Sequence, residues 1–276
     1  MERKDLHTHT SFSDGKHSPE EMIRAALDAG LEELGFSDHS YTSFDESYCM
    51  LREREEAYRA ETAALAEKYR GRIRVRCGIE QDCYGDYAPA GFGHVVGSVH
   101  YLHVGGGEPQ GEAAEFLRGE YLPVDESPAY LKAGAERFFG GDIYALIEAY
   151  YRTEADVVRR TGADIIGHFD LITKFIEREP LFEESHPRYR KAWQQAADAL
   201  LAFGKPFEVN IGAILRGYRS VPYPSREIMA YLQERGGRFV FSSDCHNADD
   251  FALIGRVLRE CASPADVPDW FDSRRD

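Results

Sequence analysis

KDLHTHTSFSDGKHSPEEMIRAALDAGLEELGFSDH, residues 4–39, is the stretch whose reading decides the fold. It opens on a short strand-like run at 4–9, passes through a helical pattern, and returns to a second short run, ELGFSDH, at 33–39. The helix is marked at both ends. Ser18 stands as N-cap, Pro19 takes the first helical position, Glu21 follows three residues after the cap, and Gly30 lies just past the end. A strand, a helix and a strand in that order imply parallel strands joined by a right-handed crossover.

The same kind of run recurs along the chain, at IRVRCGIE (73–80), HVVGSVH (94–100), ADIIGHFD (163–170), PFEVN (206–210) and RFVFSSDCH (238–246), which makes seven strands. Helical patterns cover 46–69, 142–161, 187–203, 225–235 and 249–261. A length of 276 residues admits one barrel-like domain or two small ones. Seven alternating units without a linker or a low-complexity tract point to a single α/β domain, a closed or nearly closed barrel. The exception is 103–136, beginning HVGGGEPQGE, which is too long and glycine-rich for an ordinary connection and reads as a lid or a mobile insertion after the fourth strand.

Composition narrows the function. Apolar residues make up 43% and charged residues 29%, ordinary for a soluble globular protein, and no apolar run approaches the length of a membrane span. The opening MERKDLH carries no hydrophobic segment, so a cytoplasmic protein is expected. Five scattered cysteines, Cys49, Cys77, Cys83, Cys245 and Cys261, lack CxxC pairing and read as reduced thiols. A formal charge of −15 argues against a general nucleic-acid binder. It also requires that an anionic substrate be met by local positive charge, from metals or arginines.

Parallel barrels gather the C-terminal ends of their strands around one mouth, and here nearly every run ends in a metal-ligand residue type. The runs supply in turn His7 and His9, Asp38 and His39, Glu80, His100, His168 and Asp170, and finally Asp244 and His246. Residues two apart on a strand project to one side, so His7 with His9, and Asp244 with His246, can reach one ion together. Asp14 follows in a turn, SDG, able to fold an aspartate back over the mouth. Singly, each has an ordinary explanation as a cap, a turn residue or a hydrogen-bonded histidine, the reading given to His17, His94, His103 and His186. Together they carry too much charge and imidazole to be buried without a partner. The nitrogen and oxygen donors suit Zn, Mn or Fe, and the set is large enough for two or three divalent ions, with Glu80 bridging. Such ions can bring the pKa of bound water to roughly 7, which describes a hydrolase.

These segments resemble the polymerase and histidinol phosphatase (PHP) superfamily, and within it the monofunctional histidinol-phosphatases. The resemblance runs through DLHTHTSFSDG, GFSDHS, GIEQDCY, GSVHY, GGDIYALIEAYY, GHFDLITKF, EVNIGAILRGYRSVPYPS and SSDCHNADDF, nearly the whole chain. It implies a distorted (β/α)7 TIM-like barrel and a trinuclear site. His7, His9, Glu80 and Asp244 would hold the first ion; Glu80, His100 and His168 the second; Asp14, His39 and His246 the third. The implied reaction is hydrolysis of the small phosphomonoester L-histidinol phosphate to L-histidinol and phosphate in histidine biosynthesis, with a hydroxide bridging two ions attacking phosphorus. Arg216 is the first candidate to grip the phosphoryl oxygens and Lys174 the second, while Asp170 is a candidate to protonate the leaving alkoxide. Two departures from the family pattern stand out: Ile211 replaces an expected Thr, and the segment from Gly105 to about Pro123 is longer. A related phosphoesterase acting on another small phosphomonoester or a nucleotide is the alternative, since metal ligands read phosphate and not the alcohol attached to it.

Overall fold

The first crossover forms as its signals dictate. In the computed structural model, which describes residues 3–105 and 120–267, β1 (Lys4–Thr8) leads to α1 (Pro19–Asp28) and then β2 (Glu33–Phe36). Ser18 and Glu21 close a reciprocal capping box, and α1 turns Met22, Ile23 and Ala26 inward. β1 and β2 pair in parallel. The unit repeats once through α2 (Glu55–Lys68) to β3 (Arg74–Cys77), after which β4 (Ile79–Asp82) and β5 (Val95–Ser98) follow with no helix between them. After β5 come β6 (Tyr101–His103), β7 (Tyr121–Pro123), α3 (Pro128–Phe138), α4 (Ile143–Glu154) and α5 (Val157–Thr161). The chain continues with β8 (Ile165–Ile166), α6 (Pro187–Leu201), β9 (Phe207–Asn210), α7 (Gly212–Leu215), α8 (Arg226–Glu234), β10 (Phe239–Ser242) and α9 (Phe251–Glu260).

The result is an α/β fold with two parallel sheets, β1-β2-β3 and β10-β9-β8-β5-β4. The third expected run is broken at Gly78, so that β3 belongs to one sheet and β4 to the other. Parallel bridges join the sheets at two places, Thr8 to Cys245 and His39 to Glu80. Leu6, Val96, Ile165 and Val240, one from each of four strands, pack together between them. Two larger cores lie under the helices, one around Tyr150, Tyr151, Phe169, Trp193 and Phe207, the other around Met22, Phe36, Tyr58 and Phe251. No helix of the described residues is long and apolar enough to cross a membrane.

His94, expected to be an ordinary hydrogen-bonded histidine, is a buried structural wedge. Its Nε2 lies 2.7 Å from the Leu6 carbonyl and 3.0 Å from Ser37 Oγ. Its ring occupies space that only glycines leave, since a Cβ added at Gly78 would stand 2.1 Å from Cε1 and one at Gly35 2.7 Å. Of the stretch expected to be irregular, 103–136, residues 106–119 lie outside the described residues. The remainder corrects the expectation in part, because β6 and β7 form an antiparallel hairpin and α3 follows on the Ser127–Pro128 start signal.

Candidate metal centre

The strand ends and the loops after them converge. At the end of β1 the rings of His7 and His9 lie 5.1 Å apart, both fully buried. Asp5 fixes this end, accepting the backbone N–H groups of His7 and Ser243. Burial pushes its carboxyl up to about 6, with the bonds from Ser243 and His7 working against the rise. Asp38 does the corresponding work for the loop, accepting from the backbone N–H and hydroxyl of both Thr10 and Ser13. It is thus a turn-holding residue. The loop carries Asp14 back over the mouth, and Gly15 passes close enough to His9 that a Cβ would meet its carbonyl carbon at 2.6 Å.

Three groups of donors result. His7 Nε2 and His9 Nε2 lie 3.2 and 3.5 Å from Glu80 Oε2, and 3.9 and 3.2 Å from Asp244 Oδ1. Glu80 Oε1 faces His168 Nε2 at 2.9 Å and His100 Nε2 at 3.3 Å. Asp14 reaches His246 at 3.3 Å and His39 at 3.7 Å, with His9 Nδ1 3.6 Å away. His39 also turns Nδ1 to Glu80 Oε2 at 2.8 Å, so it stands between the second and third groups. Each of the sets His9, Asp14, His39, His246; His7, His9, Glu80; and His39, Glu80, His100 offers ligand atoms within 4.8 Å of one another. Asp244 adopts a left-handed backbone, φ 52°, costly for a residue other than glycine and concentrated at functional sites.

The donor chemistry fits divalent cations. His7 Nε2, both ring nitrogens of His9 and Glu80 Oε2 are buried without a hydrogen bond, and unsatisfied buried polar atoms are costly unless something else meets them. The charges of these groups act on one another in the same way. Burial, then His246 and His39, push His9 down to about 3. Burial opposes ionisation of Glu80, yet His39, His7 and His100 hold it well below the carboxylate range. For Asp244 burial is likewise overcome, chiefly by Arg216. His7 and His100 are raised against the pull of burial, by Glu208 and Glu80 in the first case and by Glu80 and Asp82 in the second.

Two buried carboxylates absent from the sequence-derived set hold candidate ligands from behind. Glu208, on β9, takes His7 Nδ1 at 2.6 Å on Oε1, and the His168 backbone N–H at 2.8 Å and Asn210 Nδ2 at 2.9 Å on Oε2. Asp82 accepts from the backbone N–H of His100 at 3.0 Å and faces its Nδ1 at 3.2 Å. Such partners orient a ligand and fix its tautomer. Glu208 carried a signal in the sequence, a charge inside the apolar run PFEVN, which a buried strand tolerates only with a partner.

Asp14, His39, Glu80, His100, His168, Asp244 and His246 form the floor of a cavity of about 340 Å³ whose wall includes Lys174 and Arg216, and His7 and His9 are buried against Glu80 and Asp244. Arg216 donates to the side chain and the carbonyl of Asp244, both at 2.8 Å, and remains partly exposed to the cavity. Lys174 donates to the Asp125 carboxylate at 2.9 Å. Asp170 departs from expectation. It does not line the cavity; fully buried, it accepts from Ser225 N–H at 3.0 Å and faces Arg219 at 3.6 Å. β8 ends at Ile166, so the strand alternation that put Asp170 on the side of His168 does not extend to it. Among the other histidines, His17 accepts from Ala248 N–H, His103 pairs with Glu120 at the surface, and His186 caps α6.

Known proteins resemble the chain over most of its length. A family profile described as "PHP domain" matches residues 5–211. The chain is 30% identical over 260 residues to the "Probable histidinol-phosphatase" of Deinococcus radiodurans, covering 88% of this chain and 85% of that one. It is 25% identical over 289 residues to the histidinol-phosphatase of Bacillus subtilis, covering 94% and 99%. Its fold resembles that of the histidinol phosphate phosphatase of Lactococcus lactis, solved with Zn, L-histidinol and phosphate, at a TM-score of 0.63 and 20% identity over 93% and 92% of the two chains.

Proposed function

The chain belongs to the PHP domain family, and from that premise we propose that it is a metal-dependent histidinol-phosphatase, hydrolysing L-histidinol phosphate to L-histidinol and phosphate in histidine biosynthesis. The observation that carries the reading is the convergence of histidine and carboxylate atoms, several of them buried and unsatisfied, around Glu80 and Asp244, which line a cavity that also presents two cations. The names of the curated relatives support the choice of substrate. As a single catalytic domain of amino-acid biosynthesis, the protein would work in the cytoplasm on a small molecule.

In this reading His7, His9, Glu80 and Asp244 hold one divalent ion, Glu80, His100 and His168 a second, and Asp14, His39 and His246 a third, with Zn, Mn or Fe all suited to the donors. The ions, when bound, supply Lewis acidity at the phosphoryl group and acidify water. The chain supplies the rest. Glu208 and Asp82 orient His7 and His100, Arg216 holds Asp244 in place, and Lys174 and Arg216 present positive charge from the wall toward the phosphoryl oxygens, overcoming the acidic net charge locally. Asp170, committed to Arg219 and Ser225, supports the wall from behind. The parallel strands form the distorted (β/α)7 barrel expected of the family, a reading supported by the bridges Thr8 to Cys245 and His39 to Glu80 and by the interior packing of Leu6, Val96, Ile165 and Val240.

The test is removal and return of metal. Chelation should abolish phosphate release from L-histidinol phosphate, and Zn, Mn or Fe should restore it. Full turnover by thoroughly chelated protein would sink the reading.

A further inference from the structure

We propose that Asp125 is a specificity-determining residue, which receives the α-ammonium of the substrate while its partner Lys174 faces the phosphoryl group. The inference rests on L-histidinol phosphate being the substrate. That molecule carries its ammonium on the second carbon from the ester oxygen, so any carboxylate reading it must stand close to the metal-bearing floor. Besides the candidate ligands Asp14, Glu80 and Asp244, the cavity is lined by three carboxylates, Asp45, Asp125 and Glu126. Asp45 is already saturated, accepting Ser47 N–H and Oγ on one oxygen and Tyr101 OH on the other. Glu126 is exposed at the rim.

Asp125 differs from both. The backbone N–H of Val124 donates to the His100 carbonyl at 2.9 Å, which anchors the neighbouring Asp125 beside a candidate ligand. Its side chain is 27% exposed, into the cavity. Oδ2 accepts from Lys174 at 2.9 Å, whereas Oδ1 accepts no hydrogen bond among the described residues. Ammonium and phosphoryl groups are neighbours on the substrate, and on the wall a carboxylate and an ammonium are neighbours of matching sign. Desolvation inside a cavity makes a charge-assisted bond of this kind selective. Asp125 follows β7, outside the two parallel sheets, so amine recognition is separate from the strand ends that carry the metal ligands.

The experiment compares kcat/KM for L-histidinol phosphate with that for imidazolylpropyl phosphate, which lacks only the ammonium, using metal-loaded parent protein, Asp125→Asn and Lys174→Met. The parent should prefer the amine-bearing substrate by about 10- to 100-fold, the range expected of one hydrogen-bonded charge. Asp125→Asn should bring the ratio close to one, and Lys174→Met should keep it. Asp125→Ser gives the same reading should the Asn variant not fold. If Asp125 only positions Lys174, its replacement lowers both substrates together and leaves the ratio intact, which overturns the inference. A parent ratio near one overturns it too, with the histidinol-phosphatase reading left standing. Failure of the parent to hydrolyse L-histidinol phosphate at all overturns both.

Discussion

Glu208→Gln is the substitution that bears most sharply on how the floor is built. Glu208 is fully buried and accepts three hydrogen bonds, from His7 Nδ1, His168 N–H and Asn210 Nδ2. While Nδ1 of His7 donates to the carboxylate, Nε2 keeps its lone pair and faces Glu80 and Asp244. Glutamine has one acceptor oxygen. If that oxygen stays with His168 and Asn210, the amide nitrogen confronts His7 Nδ1 and favours the opposite tautomer, whose protonated Nε2 cannot bind a metal. If the amide flips, its NH₂ group meets the two donors instead. Loss of an outer partner of this kind lowers metal affinity by about 10- to 100-fold, equivalent to about 1.4–2.8 kcal/mol. Zinc competition against a chromophoric chelator measures it, with denaturant unfolding of the chelator-stripped protein as the control for folding. A folded variant that binds zinc with the parent's affinity and stoichiometry would refute the reasoning.

His9→Ala or Asp244→Asn replaces a proposed direct ligand and should abolish phosphate release with the circular dichroism spectrum retained, a loss exceeding the roughly 100-fold limit for an outer partner; near-normal turnover would refute the assignment. Gly78→Ala drives a methyl group into the His94 ring and should lower unfolding free energy by about 1–3 kcal/mol in urea titrations, while an unchanged midpoint would show that the wedge is loose. His7, His39 and His100 hold protons above the usual histidine range, through Glu208, Glu80 and their neighbours acting against burial. Ions and protons compete for the same nitrogens, so zinc uptake by stripped protein should release protons near pH 7 and tighten as pH rises. Calorimetry in two buffers of different ionisation enthalpy checks the sign, and proton uptake would contradict it.

The alternation of strands and helices was legible because most parallel strands are short runs bounded by turn residues, and α1 carried its cap, its proline and its closing glycine. The candidate ligands were legible because strand ends face one mouth whatever the loops do. Side-chain direction beyond a strand's last paired residue was not. Asp170 lies four residues past β8 and turns to Arg219, and Asp244 lies beyond β10 in a left-handed conformation that no alternation rule anticipates. Glu208 was passed over because a carboxylate one residue before Val209 in a buried strand matters only through partners brought from β1 and β8. Asp125 depends on a hairpin whose two strands are separated by a long glycine-rich stretch, and such pairing leaves little trace in local sequence.

The most direct test of the central claim is a steady-state comparison of phosphate release by the metal-loaded protein across L-histidinol phosphate, other small phosphomonoesters and nucleotides. The assigned function predicts the highest kcat/KM for L-histidinol phosphate, by at least about tenfold over the rest. An equal or greater value for a nucleotide or another phosphomonoester would contradict it.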